Sequence, residues 1–163
     1  MPLLQTADTE LPPNDVLHSI LSTRSVLHAD GTSSELHSET SGEECAAMYR
    51  FLKQNRPEIA IEIGMAYGVS SLAALTALEE NRRGRLISID PYPSGFEHVR
   101  ESALLAIDNA GLSHRHMHLH MGSELALPKL IDDGVRPDFV YIDGHHGFDH
   151  AFVDMFFADK MLP

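Results

Sequence analysis

Four short strand-like runs, each followed by a helical stretch, constrain this chain more than any other feature. Ile59-Ala60-Ile61-Glu62-Ile63 is β-branched and closes on Gly64, Arg85 to Asp90 and Asp138 to Asp143 are likewise largely apolar, and His116 to Met121 reads as a strand of alternating histidines and apolar residues. Short runs of this kind, bounded by turn residues, read as buried strands. Between them, Ser70 to Asn81 carries Leu72, Leu75 and Leu78 at helical spacing. Phe96 to Ala110 is closed by Gly111, Glu124 to Asp133 by Gly134, and Phe148 to Met161 forms a last helix. Strands alternating with helices of about 10–15 residues imply βαβ units, right-handed crossovers and a parallel sheet. The expected class is therefore α/β, doubly wound.

Upstream the pattern changes. Residues 1–35 are rich in Ser, Thr, Pro and His and read as a polar segment, with one short helix expected over Val16 to Leu27, capped by Asn14 or Asp15. Residues 36–163 are read as the domain itself. Ser41-Gly42-Glu43-Glu44 is a capping box, in which the serine satisfies an orphan amide and a glutamate three positions later reaches back. It opens a helix to about Asn55, stopped by Pro57.

Composition narrows the partners. A chain of 163 residues with 43% hydrophobic content can bury one core. A net charge of -12 repels phosphate backbones and anionic lipid, which argues against nucleic acid and membrane partners. Cys45 is the only cysteine, so an intrachain disulfide and a cysteine-ligated zinc site are excluded, and a reducing cytoplasm fits. Met1 to Asn14 has neither a basic start nor an apolar run, so no secretory leader is expected. No stretch reaches the roughly 18 apolar residues that a membrane helix needs.

In a doubly wound sheet, ligands bind beyond the carboxyl ends of the strands, where the strand order reverses. The strand tips read Gly64, Asp90, Gly122-Ser123 and Asp143. At the first, Gly64 and Gly68 allow a sharp turn and a close backbone approach. The helix that follows aims free N–H groups and its positive end at the site. At the second, Asp90 can accept hydrogen bonds from both hydroxyls of a ribose. His116, His118 and His120 alternate along the third strand and share one face. They read as the polar face of an outer strand, with transition-metal binding as the weaker alternative.

Taken together, Glu62-x-Gly64-x-x-x-Gly68-x-Ser70, Ile89-Asp90, Gly122-Ser123 and Tyr141-Ile142-Asp143-Gly144-x-His146 resemble the class I S-adenosylmethionine-dependent methyltransferases. The likeness is closest to catechol-type O-methyltransferases and to the related bacterial methyltransferase-domain family. That bacterial family carries a D-G-x-H-x-y-x-x-v-x-x-D stretch, matched by Asp143 to Asp154. The resemblance covers about residues 38–163. It implies a Rossmann-like sheet of order 3-2-1-4, S-adenosylmethionine as cofactor, and a small hydroxylated molecule as methyl acceptor.

The resemblance also implies roles. Glu62 and Gly64 line the methionine end of the cofactor, with Met65 and Gly68 in the same loop. Ser70 holds its carboxylate, Asp90 the ribose, and Pro91 and Tyr92 flank the adenine. Gly122 and Ser123 stand near the adenine edge. Asp143 is a cofactor-site residue, the catalytic acid and a ligand for a divalent cation, magnesium (Mg2+) being suited to hard oxygen donors. His146 is a candidate base, because histidine titrates near neutrality; His145 reads as a polar loop residue.

One departure follows. In the family, further metal ligands sit after the next strand, usually beyond a Gly-Gly pair, whereas this sequence ends at Met161-Leu162-Pro163. The distal strands are expected to be absent, and the apolar fourth strand to present an edge that favours homo-oligomers. The rival readings are a catalytically inactive cofactor-binding fragment and a nicotinamide-dependent dehydrogenase. The second is disfavoured, because the glycine spacing is not G-x-G-x-x-G and no Tyr-x-x-x-Lys follows it.

Overall fold

The computed structural model describes residues 10–37 and 40–163. Residues 1–9, which carry most of the reading of an N-terminus without a leader, lie outside the described residues. The chain opens with α1 (Asp15–Thr23), capped by Asn14, whose side chain accepts from Leu17 N. A hairpin follows, β1 (Ser25–Leu27) paired antiparallel with β2 (Ser33–Glu35).

This hairpin corrects the single helix expected over Val16 to Leu27. Arg24 adopts φ 52, which ends the helix. The hydroxyls of Ser22 and Thr23 both donate to Ser19 O, the local bonding by which such residues compete with helix continuation. Asp30-Gly31 then supplies a tight turn, with Thr32 N donating to Asp30 Oδ1. An Asp-Gly pair is the signal that the periodicity reading passed over.

Next comes α2 (Gly42–Asn55), whose capping box is formed in both directions between Ser41 and Glu44. The alternating part consists of β3 (Ile59–Ile63), α3 (Val69–Glu80), β4 (Arg85–Ile89), α4 (Glu97–Asn109), β5 (His116–Leu119), α5 (Ser123–Asp132), β6 (Phe139–Ile142) and α6 (Phe148–Met161). The four strands form a parallel sheet in the order β5-β4-β3-β6, which is the expected 3-2-1-4.

Period-two alternation explains the layers. Ile61, Ile63, Ile87 and Ile89 face α5 and α6, packing with Ala126, Leu127, Leu130 and Met161. Ala60 and Leu86 face the other way, into a larger core with α1 to α4. Every residue of α3 from Val69 to Leu78 is buried. A helix apolar all round belongs in an interior, and α3 packs between α2, α4 and the sheet. Leu17, Ile20, Val26 and Leu36 belong to the same core, so the N-terminal elements pack onto the α/β layers. Among the described residues, no helix is long and apolar enough to cross a membrane.

Candidate functional site

The sheet reverses order at β3, with β4 on one side and β6 on the other. A cleft of about 680 Å3 opens there, beyond the carboxyl ends of the strands. That position and size suit a small-molecule site. Gly64, Met65 and Ser70 line it from the first tip, Asp90 and Pro91 from the second, Gly122 and Ser123 from the third, and Asp143 and His146 from the fourth. Glu62, Gly68 and Tyr92 stand behind this wall.

Gly64 has φ +89, and a Cβ built on it would lie 2.1 Å from the main-chain oxygen of Asp143. The close approach that requires glycine is therefore to the β6 tip. Gly68 has φ +77 and caps α3 without a side chain; its Cβ would meet that of Ala103 at 3.3 Å. Gly68 lets α4 pack close and leaves the first amides of α3 free of any side-chain cap.

Asp90 staples the first two tips together. Its Oδ2 accepts from Met65 N at 2.9 Å and Ala66 N at 3.0 Å, and its Oδ1 from Tyr92 N at 3.0 Å. A carboxylate offers about four lone-pair sites, so capacity remains for a ligand hydroxyl. Ala66 and Tyr92 both adopt positive φ, 43 and 40. The Tyr92 hydroxyl donates to Ala66 O at 2.5 Å and so holds the two unusual conformations against each other. Burial, with Asp90 beside it, keeps that phenol well above its ordinary range.

Glu62 is 1% exposed and lies beneath the cleft lining, behind Ser70. Ser70 and Ser71 donate to its two oxygens at 2.5 Å each, and Ser88 donates at 2.7 Å. Burial raises this carboxyl to about 7, against the three hydroxyls, which favour the ionised form. Ser88 in turn bonds His116 Nε2 at 3.0 Å, and His118 Nε2 bonds Asp90 O at 3.1 Å. These two histidines of the alternating trio tie β5 to β4. Burial lowers His116 to about 4, so it is neutral at physiological pH.

At the fourth tip, the Tyr141 hydroxyl donates to Asp143 Oδ2 at 3.2 Å. His145 Nδ1 accepts from Gly147 N at 3.0 Å, so neutral His145 carries its proton on Nε2 and has no free lone pair with which to act as a base. His146 lines the cleft without that commitment.

Among the described residues, no group of three His, Cys, Asp or Glu side chains is placed to hold a metal ion. Among the described residues Asp143 therefore stands without protein co-ligands for a magnesium ion.

His37, Thr40, Glu44, Glu124 and His150 also line the cleft and were not singled out from the sequence. Glu124 and His150 lie inside or beside motifs, so proximity was the available signal. Nothing local marks His37 or Thr40, and Glu44 is marked only as the capping-box acid of α2, not as a cleft residue. Ser88 is a polar residue inside an apolar strand, but its sequence position does not show that it reaches Glu62. Glu44, Asp90, Glu124 and Asp143 bring carboxylates to the cleft, and among the described residues no lysine or arginine lines it. Such a site favours a cationic ligand over a pyrophosphate.

A family model described as a methyltransferase domain matches residues 61–163. Among solved structures, the chain is similar to the SAH-bound methyltransferase PaMTH1 of Podospora anserina, at 17% identity and TM-score 0.69. That match covers 91% of this chain and 58% of that one. An O-methyltransferase from Bacillus cereus in complex with SAH matches at 18% identity and TM-score 0.73, covering 96% and 66%. The O-methyltransferase TomG of Streptomyces achromogenes, involved in tomaymycin synthesis and solved with SAM, matches at 21% identity and TM-score 0.69, covering 94% and 63%. At these identities the likeness is one of fold. The chain spans between 58% and 66% of the length of these structures. A search of curated proteins gave no match.

Proposed function

The chain belongs to the methyltransferase-domain family, and from that premise we propose that its cleft binds S-adenosylmethionine and serves O-methylation of a small hydroxyl-bearing molecule. The observation that carries this reading is the cleft at the sheet's switch point, walled by carboxylates, with no lysine or arginine among the described lining residues, and backed by the uncapped start of α3. A ligand with a sulfonium and an ammonium matches that field, and its carboxylate matches the helix start. A dinucleotide's pyrophosphate has no cation to meet.

When bound, the cofactor supplies an electrophilic methyl group. The residues here then have two tasks, alignment of the acceptor oxygen and removal of its proton. In this reading Asp90 takes the ribose hydroxyls with the lone pairs left over from its three amide bonds. Pro91 and Ser123 flank the base, and Ser70 and the α3 amides hold the amino-acid end over Glu62. His146 is the base and Asp143 orients the acceptor; His145 is excluded as the base by its bond to Gly147. A cytoplasmic setting belongs to the same reading, since the sequence's single cysteine, Cys45, is a buried free thiol whose pKa burial pushes up to about 12.

Single-turnover methyl transfer with a panel of catechols, phenols and sugars tests the activity. Methylation of at least one hydroxyl class, lost in His146→Ala with cofactor binding retained, is the expected result. Tight cofactor binding with no transfer to any acceptor would instead favour a binding module.

A further inference from the structure

The buried carboxylate of Asp154 does not line the cleft. It lies on the seam of α6 that also buries Ala158 and Met161, and it is 1% exposed. Its Oδ1 makes no hydrogen bond among the described residues. A helical side chain leans toward the turn before its own Cα, which sends this carboxylate back toward the start of α6. There it meets Gly144: a Cβ on that glycine would stand 3.7 Å from Asp154 Oδ2 and 3.1 Å from Ile63 Cγ2. The backbone N–H groups of Gly144, His145 and His146 make no hydrogen bond among the described residues either. The unpaired Oδ1 thus belongs to a buried carboxylate whose other oxygen faces Gly144, in a turn that has three spare donors and lines the cleft.

The geometry points to Asp154 as a positioning residue: in the ligand-loaded protein its carboxylate accepts main-chain N–H groups of the Gly144–His146 turn and so fixes where Asp143 and His146 stand. This rests on the cleft being the methyl-donor site. A buried carboxylate held only for stability has its donors in the free protein, as Glu62 has three hydroxyls. Asp154 lacks them, and leaving a buried oxygen unpaired is costly unless a partner arrives with the working state. Strain or unmet bonding kept beside a site is the usual signature of function set against stability.

Three measurements on the wild type, Asp154→Asn and Asp154→Ala test this: calorimetric binding of S-adenosylhomocysteine, the thermal midpoint of the free protein, and amide exchange at residues 144–146 with and without that ligand. Ligand should slow exchange at these amides by about tenfold or more in the wild type. Asp154→Ala should still bind the ligand but lose that protection, and Asp154→Asn, which keeps one acceptor oxygen, should retain part of it. The thermal midpoint of the free protein should not fall in either variant. A clear fall would assign Asp154 a structural role and overturn the inference, as would ligand-induced protection in Asp154→Ala equal to the wild type. Should the alanine variant not fold, the asparagine variant decides on the same criteria. Failure of the wild type to bind the ligand overturns the functional reading and this inference with it, whereas binding with unaltered exchange overturns the positioning role alone.

Discussion

Gly64→Ala isolates what the first glycine of the β3 tip does. The new Cβ would stand 2.1 Å from Asp143 O and 2.6 Å from the carbonyl carbon, main-chain atoms that cannot rotate aside. The backbone at φ +89 is also one that residues with a Cβ rarely adopt. The conformational cost is about 1–3 kcal/mol, and forcing a carbon into filled space costs a further 1–3 kcal/mol or so. The sum, about 2–6 kcal/mol, is a large part of the roughly 5–15 kcal/mol that stabilises a domain. Gly95→Ala is the control: its φ is +96, and nothing lies within 4 Å of its Cβ, so it carries the backbone cost alone. Urea unfolding of both variants should place Gly64→Ala below Gly95→Ala by about 1–3 kcal/mol. Equal losses would refute the claim that the β6 tip, packed against the first turn, is what demands glycine there.

Asp90→Ala should weaken S-adenosylhomocysteine by about 1.5–3 kcal/mol, the scale of a hydrogen bond to a charged group. It should also lower the melting temperature, because three backbone amides lose their acceptor; unchanged affinity in a folded variant would remove the ribose assignment. Glu62, raised by burial from 4.5 to about 7, contributes stability that is full below about pH 4.5 and lost as pH rises through 7. Denaturation midpoints across that window should fall less steeply in Glu62→Gln, and an unaltered slope would contradict the buried-carboxylate reading. His116, lowered by burial from 6.5 to about 4, has the opposite sign: its contribution is present above pH 6.5 and lost as pH falls through 4. His116→Gln should therefore be less acid-sensitive than the wild type, and equal acid sensitivity would count against burial of the imidazole. S-adenosylhomocysteine at a hundred times its Kd should stabilise the wild type by about 2.7 kcal/mol; a melting temperature indifferent to ligand would deny selective binding to the folded state.

The α/β layers were legible because the strands are short, mostly apolar runs between turn residues, β5 showing instead an alternation of histidines and apolar residues, and helical spacing filled the gaps. The site was legible where it follows from strand tips, as at Gly64, Asp90, Gly122 and Asp143. It was less legible where side chains meet across the fold. Ser88 reaches Glu62 from the neighbouring strand, and no local pattern joins residues on separate strands. Gly64 was readable as indispensable, but its reason, the backbone of Asp143, lies far along the chain. The hairpin Ser25–Leu27 to Ser33–Glu35 is hard to read because its strands are three residues each and largely polar, so the Asp30-Gly31 turn is its one local signal. Asp154 matched a motif position, yet its burial and unpaired oxygen appear only when α6 docks under Gly144.

The central claim is that the carboxylate-walled cleft takes a sulfonium-type adenosyl ligand. Parallel calorimetric titrations of the protein with S-adenosylmethionine, S-adenosylhomocysteine and NAD test it most directly. Saturable one-to-one binding of both adenosyl ligands, with no heat from NAD, is the expected result. Binding of NAD, or no binding of either adenosyl ligand by folded protein, would contradict it.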